Sequence, residues 1–376
     1  MESLYTKYRP QTFADVVGQQ HVVSTLEHAV LEGRTSHAYL FCGPRGTGKT
    51  TMARLLAKAL MCERGAGHLP DGSCEQCRLI ASGDHPDVYE LDAASRTGVD
   101  NVREEIISRV SYAPVRGGYK VYIIDEVHML TTAAFNALLK TLEEPPEHTL
   151  FVLCTTDPQK IPETILSRVQ QFFFRPIPTE IMARQLINIA EKEGFGIEED
   201  AARLIAERSR GGFRDGISML DQLSILATPD QPLTSAMVAE YLGLSDTSKL
   251  NGLLDLYQTG NNEQILNVFR DLENNGANSV VVSHQLLSIA RNKLRQNPNL
   301  VKLIQQLIEV DRHPHPDLKL LTIFMNSNSQ PAEKPVAPKK NITQAATQKP
   351  TEKPTPIKSA EPAKPTEKPI KKEEKP

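Results

Sequence analysis

Residues 36–61, SHAYLFCGPRGTGKTTMARLLAKALM, constrain the fold more than any other stretch of this chain. The run HAYLFC reads as a buried strand, and TMARLLAKALM repeats apolar residues at helical spacing. Between them, Gly43-Pro44-Arg45-Gly46-Thr47-Gly48-Lys49-Thr50 has the GxxxxGK[ST] spacing of a phosphate-binding loop. Glycines let the backbone curl until its N–H groups and the next helix's N-terminus face a β-phosphate, where partial positive charge favours an anion. In such a loop Lys49 reaches the β/γ oxygens and the Thr50 hydroxyl ligates Mg²⁺; Thr51 adjoins as a further nucleotide-binding candidate.

A phosphate loop needs acidic partners, and Val121-Tyr-Ile-Ile-Asp125-Glu126 supplies them. An apolar strand delivers two carboxylates to a sheet's C-terminal edge, where doubly wound folds place their ligands. Asp125 is the candidate for the Mg²⁺ shell, and Glu126 for orienting and deprotonating an attacking water. The helix TTAAFNALLKTLEE, stopped by Pro145-Pro146, and the buried strand TLFVLCTTD follow. Strands alternating with helices predict a parallel sheet. Thr155-Thr156 closes the last strand, where a hydroxyl can bond a γ-phosphate or the water. Arg168 and Arg214 each sit beside helical segments. An arginine there reads either as surface charge or as a group that stabilises charge spreading on a transferred phosphoryl, and spacing does not decide between them.

Beyond Pro176 and Pro178, MARQLINIAEKEG and EEDAARLIAERSRGGFRDGISMLDQLSILA predict three helices without a strand, a small helical lid. After Pro229 and Pro232 the periodic segments LNGLLDLYQTG, EQILNVFRDLENNG, VVSHQLLSIARNKL and VKLIQQLIEVDR predict an all-helical region to about residue 327. The expected division is therefore 1–176, an α/β nucleotide-binding domain; 177–230, a helical lid; 231–328, an all-helical domain; and 329–376, a tail. Charge separates along these lines. The net charge of −3 conceals 11 Lys against 6 Glu in residues 331–376, a local +5, so the other residues carry −8. The tail also holds 10 of the 26 prolines and no aromatic residue, a composition expected to stay disordered. A nucleic-acid partner would ordinarily call for a basic body; an acidic one must meet DNA through a local surface. No apolar run approaches the ~18 residues that span a bilayer, and the polar start MESLYTKYRP has no signal-peptide pattern, so a cytoplasmic protein without a membrane partner is expected.

Five cysteines are too few for a disulfide scaffold. Cys42 and Cys154 lie within strands and read as small core residues. Cys74 and Cys77 form a CxxC, and Cys62 lies across a 65–73 loop that contains His68 and Asp71. Three thiolates plus one His or carboxylate would make a closed, tetrahedral structural zinc site.

In blocks along its length the chain resembles the gamma/tau subunit family of bacterial DNA polymerase III, the ATPases of the sliding-clamp loader. The blocks are YTKYRPQTFADVVGQ, SHAYLFCGPRGTGKTTMARLLAKAL, ELDAASRTGVDNVRE, YKVYIIDEVHMLTTAAFNALLKTLEEPPEH, TTDPQKIPETILSR and GGFRDGISMLDQ. The likeness is dense from residue 3 to about 227, thinner over 228–327 and absent from the tail. It implies an AAA+ P-loop NTPase domain, a lid and a helical collar domain that mediates oligomerisation. It also implies that Tyr8, Arg9 and Pro10 with Val16, Val17 and Gly18 line the adenine pocket, that the first sensor falls on Thr156, that Arg168 is the finger reaching the neighbouring subunit's ATP, and that Arg214 is the second sensor, acting in cis. The finger motif ends in Val169 where the family has cysteine. At the second of the family's four zinc cysteines this chain has Asp71. Asp71 completes the shell, or His68 swings in, or the site is weak or lost.

The resemblance further implies ATP, Mg²⁺ and structural Zn²⁺ as cofactors. As partners it implies copies of this subunit with delta-type and delta-prime-type subunits in a pentamer, the beta sliding clamp and primer–template DNA, with the polymerase core and single-strand-binding protein as further contacts at the replicating nucleoid. A polymerase label would be inherited from the holoenzyme, because no segment offers a second pair of acids for two-metal nucleotidyl transfer. The ending after a Pro/Lys-rich stretch matches a short, gamma-like form. A branch-migration helicase would share the ATP chemistry but not the cysteine insertion at 62–77 or the block DAASRTGVDNVRE. A non-hydrolysing scaffold subunit would typically lack a working phosphate loop.

Overall fold

The computed structural model describes residues 2–65, 67–95, 97–228 and 231–326. The Pro/Lys-rich tail expected to be disordered lies outside the described residues. In chain order the first elements are α1 (Leu4–Lys7), α2 (Gln20–Leu31), β1 (Ala38–Cys42), α3 (Lys49–Met61), α4 (Glu75–Ser82) and β2 (Val88–Asp92). Next come α5 (Val99–Val102), continued through a π-helical Arg103–Ile107 into α6 (Ser108–Val110), then β3 (Lys120–Asp125), α7 (Thr132–Glu143), β4 (Thr149–Thr155), α8 (Glu163–Leu166) and β5 (Gln170–Phe173). The five strands form one parallel sheet in the order β2-β3-β4-β1-β5.

Side-chain alternation along the strands divides the core between the two faces. Tyr39, Phe41, Val121, Ile123, Leu150, Val152 and Cys154 face α2 and α3, packing with Val22, Leu26, Met52 and Leu56. Leu40, Tyr122, Ile124, Phe151 and Leu153 face the other way, onto Ile106, Phe135, Leu138 and Ile165. Covered on both sides, β1, β3 and β4 are almost continuously apolar, as buried parallel strands must be. The register pairs Cys42 with Thr155 and Ile124 with Leu153, so these three strands end level with one another. The loops that leave them therefore meet at one edge. Sequence periodicity does not pick out β2 and β5. Both are edge strands in which few side chains are buried, Leu91 in one and Phe172 in the other, and so lack the apolar signature.

The following helices are α9 (Thr179–Glu193), α10 (Glu199–Arg208) and α11 (Phe213–Leu223), the three expected, and then α12 (Ser235–Tyr241). Their core of Met182, Leu186, Ile189, Ile205, Leu220 and Val238 also takes in Leu4. The N-terminal helix thus packs on this helical group, while Phe13, only nine residues on, is buried in the sheet domain. The chain finishes with α13 (Thr247–Thr259), α14 (Asn262–Asn274), α15 (Ser279–Lys293), α16 (Leu300–Ile308) and α17 (Pro316–Met325), around a separate core of Leu253, Phe269, Leu286, Leu303 and Phe324. Helices α12 and α17 are additions to the periodic segments read from sequence; each is short, and α17 opens on Pro316 at its first turn, where proline's missing N–H costs nothing.

Candidate functional site

The phosphate loop joins β1 to α3. Gly43, at φ 155°, sits so close to the next segment that an added Cβ would lie 2.5 Å from the Phe174 carbonyl oxygen. Its N–H bonds the Thr155 carbonyl at 3.1 Å, fixing the loop's first residue to the end of β4. Gly48, at φ 97°, is the N-cap of α3 and takes a left-handed conformation that L side chains resist. Lys49 is buried and its Nζ donates to the Gly43 and Pro44 carbonyls, both at 2.9 Å. Burial pushes its pKa below the ordinary lysine value, while Glu126 and Asp125 partly counter the effect. The ammonium thus rests inside the curl of the loop on groups that an anion can displace.

The acids arrive on β3. Thr50 Oγ1 donates to Asp125 Oδ2 at 2.6 Å, so a hydroxyl and a carboxylate oxygen converge as a hard, all-oxygen pair suited to Mg²⁺. Glu126 follows in a left-handed conformation, φ 46° and ψ 43°, one of two non-glycine residues at positive φ among the described residues. Such backbone strain persists where surrounding structure holds it. Here Thr156 does so: its Oγ1 and its N–H reach Glu126 Oε2 at 2.8 and 3.2 Å. His128 lies on the other side, with Nδ1 3.3 Å from the same oxygen and 3.0 Å from Thr155 Oγ1. The end of β4 therefore fixes the direction of the second acid.

Above the loop a cleft of about 830 Å³ opens between the sheet domain and the α9–α11 helices, within the range of small-molecule sites. Among the sequence candidates it is lined by Tyr8, Arg9, Val17, Arg45, Gly46, Thr47, Gly48, Lys49, Thr50, Thr51, Asp125, Glu126 and Arg214. Gly43 and Pro44 stand behind it and serve Lys49. Tyr8 donates its hydroxyl hydrogen to Glu193 Oε1 at 2.5 Å, and burial together with that carboxylate pushes its pKa up to about 12. The α11 turn closes on the loop: the Phe213 N–H donates to the Gly46 carbonyl at 2.8 Å, which sets Arg214 at the cleft.

The two arginines that spacing left undecided occupy different places. Arg214 lines the cleft. Arg168, after α8, does not; its Nη2 pairs with Glu143 at 2.6 Å and its Nη1 donates to the Thr164 carbonyl at 2.6 Å. Thr156 likewise lies behind the cleft wall and touches it through Glu126.

The sulfurs of Cys62, Cys74 and Cys77 lie within 4.8 Å of one another, with 3.9 Å between Cys62 and Cys74. Thiolates held tetrahedrally by zinc stand roughly 3.8 Å apart, so the donor set fits a soft metal. Burial opposes ionisation of Cys74, but hydrogen bonds from the Glu63 and Cys77 backbones outweigh it and hold its pKa below the ordinary thiol value. Burial and the neighbouring thiols push Cys77 upward. Neither of the two candidates for a fourth ligand, Asp71 and His68, joins them. The Asp71 carboxylate closes a local turn, accepting from Ser73 N and Oγ at 2.9 and 2.8 Å, and it pairs with Arg64 at 3.4 Å. The local bonds of an Asx turn win over a reach to the thiols.

Several residues were not singled out from sequence. Gln19 is buried, its Oε1 accepting from Arg175 N at 3.1 Å and its Nε2 donating to Arg175 O at 2.7 Å, which ties the VVGQQ segment to the chain after β5. His128, two residues beyond Glu126, and the cleft residues Tyr5, Gln185, Asn188 and Lys192 belong with it. The signal for Gln19 and His128 was their place inside the blocks YTKYRPQTFADVVGQ and YKVYIIDEVHMLTTAAFNALLKTLEEPPEH; the α9 residues carry none, because only folding brings that helix over the loop.

Family models match three successive stretches: residues 18–178 match the DNA polymerase III delta subunit, 181–227 the ATPase lid domain of a DNA polymerase III clamp-loader subunit, and 233–306 domain III of the DNA polymerase III subunits gamma and tau. The DNA polymerase III subunit tau of Escherichia coli K12 is 48% identical over 263 residues, covering 70% of this chain and 40% of that protein. Subunit tau of Bacillus subtilis 168 is 45% identical over 290 residues, 72% of this chain and 51% of that one. The DNA polymerase III subunit gamma of Buchnera aphidicola subsp. Baizongia pistaciae is 38% identical over 339 residues, 90% of this chain and 86% of that protein. The chain thus spans about half or less of the two tau proteins and most of the gamma protein.

Proposed function

Because this chain belongs to the gamma and tau subunit family of DNA polymerase III, we propose that it is an ATP-hydrolysing clamp-loader subunit, with the cleft above residues 43–50 as its ATP site. The observation that carries this reading is the convergence of Lys49, Thr50, Asp125, Glu126 and Arg214 on one cleft. Loop N–H groups and the α3 N-terminus bind the phosphates, and Lys49 exchanges its carbonyl partners for their oxygens. Thr50 and Asp125 would hold Mg²⁺, which supplies charge neutralisation on the β- and γ-phosphates. Glu126, aimed by Thr156, takes a proton from the attacking water as the terminal phosphoryl leaves ADP. Tyr8, Arg9 and Val17 receive the adenine end. Arg214 acts on the ATP of its own chain, and Arg168, outside its own cleft, serves the neighbouring subunit's. A Glu126→Gln variant is expected to bind ATP with near-native affinity and to lose turnover by about 10²-fold or more; undiminished hydrolysis stimulated by clamp and primed DNA would overturn the assignment.

The division into three folded units is part of the proposal, supported by the separate cores of the sheet, lid and collar helices, with one correction to the expected bounds: Leu233 and Val238 of α12 pack in the lid core and the collar core begins at Leu250, so the lid runs past residue 230 to about 242. Copies of the subunit join delta-type and delta-prime-type subunits in a pentamer through the collar, and nucleotide between neighbours orders the motors to hold an open beta clamp around primer–template DNA. Helix N-termini and backbone amides serve the DNA phosphates, which reconciles a body of net −8 with that partner. The polymerase core and single-strand-binding protein are the further contacts, and replication in the cytoplasm, at the nucleoid, the setting. Among the described residues no helix is long and apolar enough to cross a membrane. Zinc would be held by Cys62, Cys74 and Cys77 and would tie down the loop between α3 and α4.

A further inference from the structure

Arg214 is the one arginine among the described residues that lies over an aromatic ring. Arg54 pairs with Glu90 at 2.8 Å, Arg168 with Glu143 at 2.6 Å and Arg203 with Glu180 and Glu199. Among the described residues no carboxylate pairs with Arg214; its guanidinium carbon instead lies 4.9 Å from the centre of the Tyr5 ring. The difference is chemical. A carboxylate neutralises a guanidinium and occupies its N–H groups, whereas Tyr5 attracts the cation with its ring and meets it with its hydroxyl, which leaves the charge intact and most of the five N–H donors available to a phosphate.

Tyr5 is itself fixed to the element that carries Arg214. Its helix α1 is bolted to the lid by the Leu4 N–H, which donates to Asp221 Oδ2 of α11 at 3.1 Å, by burial of Leu4 in the lid core, and by Lys7, which pairs with Glu193 at 2.6 Å. Asp221 lies two turns along the same helix as Arg214, so ring and guanidinium are tied to one element. Both line the cleft, and the turn beside Arg214 is pinned to the phosphate loop through Phe213 and Gly46.

We propose that Tyr5 is a positioning residue for Arg214: its ring preorganises the guanidinium toward the terminal phosphate of bound nucleotide without neutralising it. The inference rests on the reading of Arg214 as a phosphate-binding group, and the test separates the two. Affinities of the full chain for ADP and for a non-hydrolysable ATP analogue are measured for Tyr5→Leu, Tyr5→Phe, Arg214→Ala and the double variant Tyr5→Leu/Arg214→Ala, with Tyr5→Met as a second apolar replacement. Loss of the ring is expected to weaken the ATP analogue about 2- to 5-fold while ADP is unchanged. Tyr5→Phe, which keeps the ring face and loses only the hydroxyl's contact with the guanidinium, stays closer to native affinity than Tyr5→Leu, and Tyr5→Leu adds nothing in the Arg214→Ala background. Equal losses for both nucleotides, an effect that persists without Arg214, or no effect beside a marked loss in Arg214→Ala, would overturn the role of Tyr5 alone. An Arg214→Ala variant that keeps native affinity for both nucleotides would overturn the reading of Arg214, and with it the proposal.

Discussion

Asp71 illustrates how a single side chain is decided by its nearest competitors. Its position in the sequence invites a metal-ligand reading, yet Ser73 two residues on and Arg64 across the loop take both of its oxygens. The thiols of Cys62, Cys74 and Cys77 converge without it. Zinc content of the purified protein, measured by atomic absorption, is therefore expected to survive Asp71→Ala and to fall strongly in Cys74→Ser; the reverse pattern would return Asp71 to the shell. Glu126 is the opposite case. Its proposed role was legible from the Asp-Glu pair at the end of an apolar strand, but the two bonds from Thr156 that hold its left-handed backbone were not, because they join residues 30 positions apart.

Among the elements, the central strands carry most of the sheet's apolar contact and the edge strands little of it. Phe151 of β4 is wholly buried, stacked on Tyr122 with ring centres 5.3 Å apart. Phe173 of β5 is 58% exposed. Phe151→Ala is expected to cost about 3–5 kcal/mol in chemical denaturation followed by far-UV circular dichroism, and Phe173→Ala to stay within about 0.5 kcal/mol. Comparable losses at the two positions would contradict the strand order. The same contrast explains what sequence patterning revealed. β1, β3 and β4 announce themselves as apolar runs because both faces are covered. β2 and β5 do not, since half-exposed edges mix polar and apolar residues without regular alternation.

For the whole molecule, the site is assembled from segments that share no local signal: α1 and the residues after it, the phosphate loop, the ends of β2 and β3, and the lid helices α9 and α11. Arg168 lies apart from them, paired with Glu143. The subunit alone is expected to bind ATP equally well with Arg168→Ala, while hydrolysis by the assembled complex falls roughly 10³-fold or more; a complex that keeps native turnover would remove Arg168 from the trans role. By itself the sequence determined the phosphate loop, its acidic partners, the parallel α/β architecture and the helical regions that follow, because each is written in short-range spacing and in the periodicity of burial. Tertiary structure alone decided that Asp71 stays outside the thiol cluster, that Leu4 packs with the lid while Phe13 packs with the sheet, and that Tyr5 lies beneath Arg214. Those outcomes turn on contacts between residues up to about 200 positions apart, or on competition among close neighbours, and the chain's local pattern encodes neither.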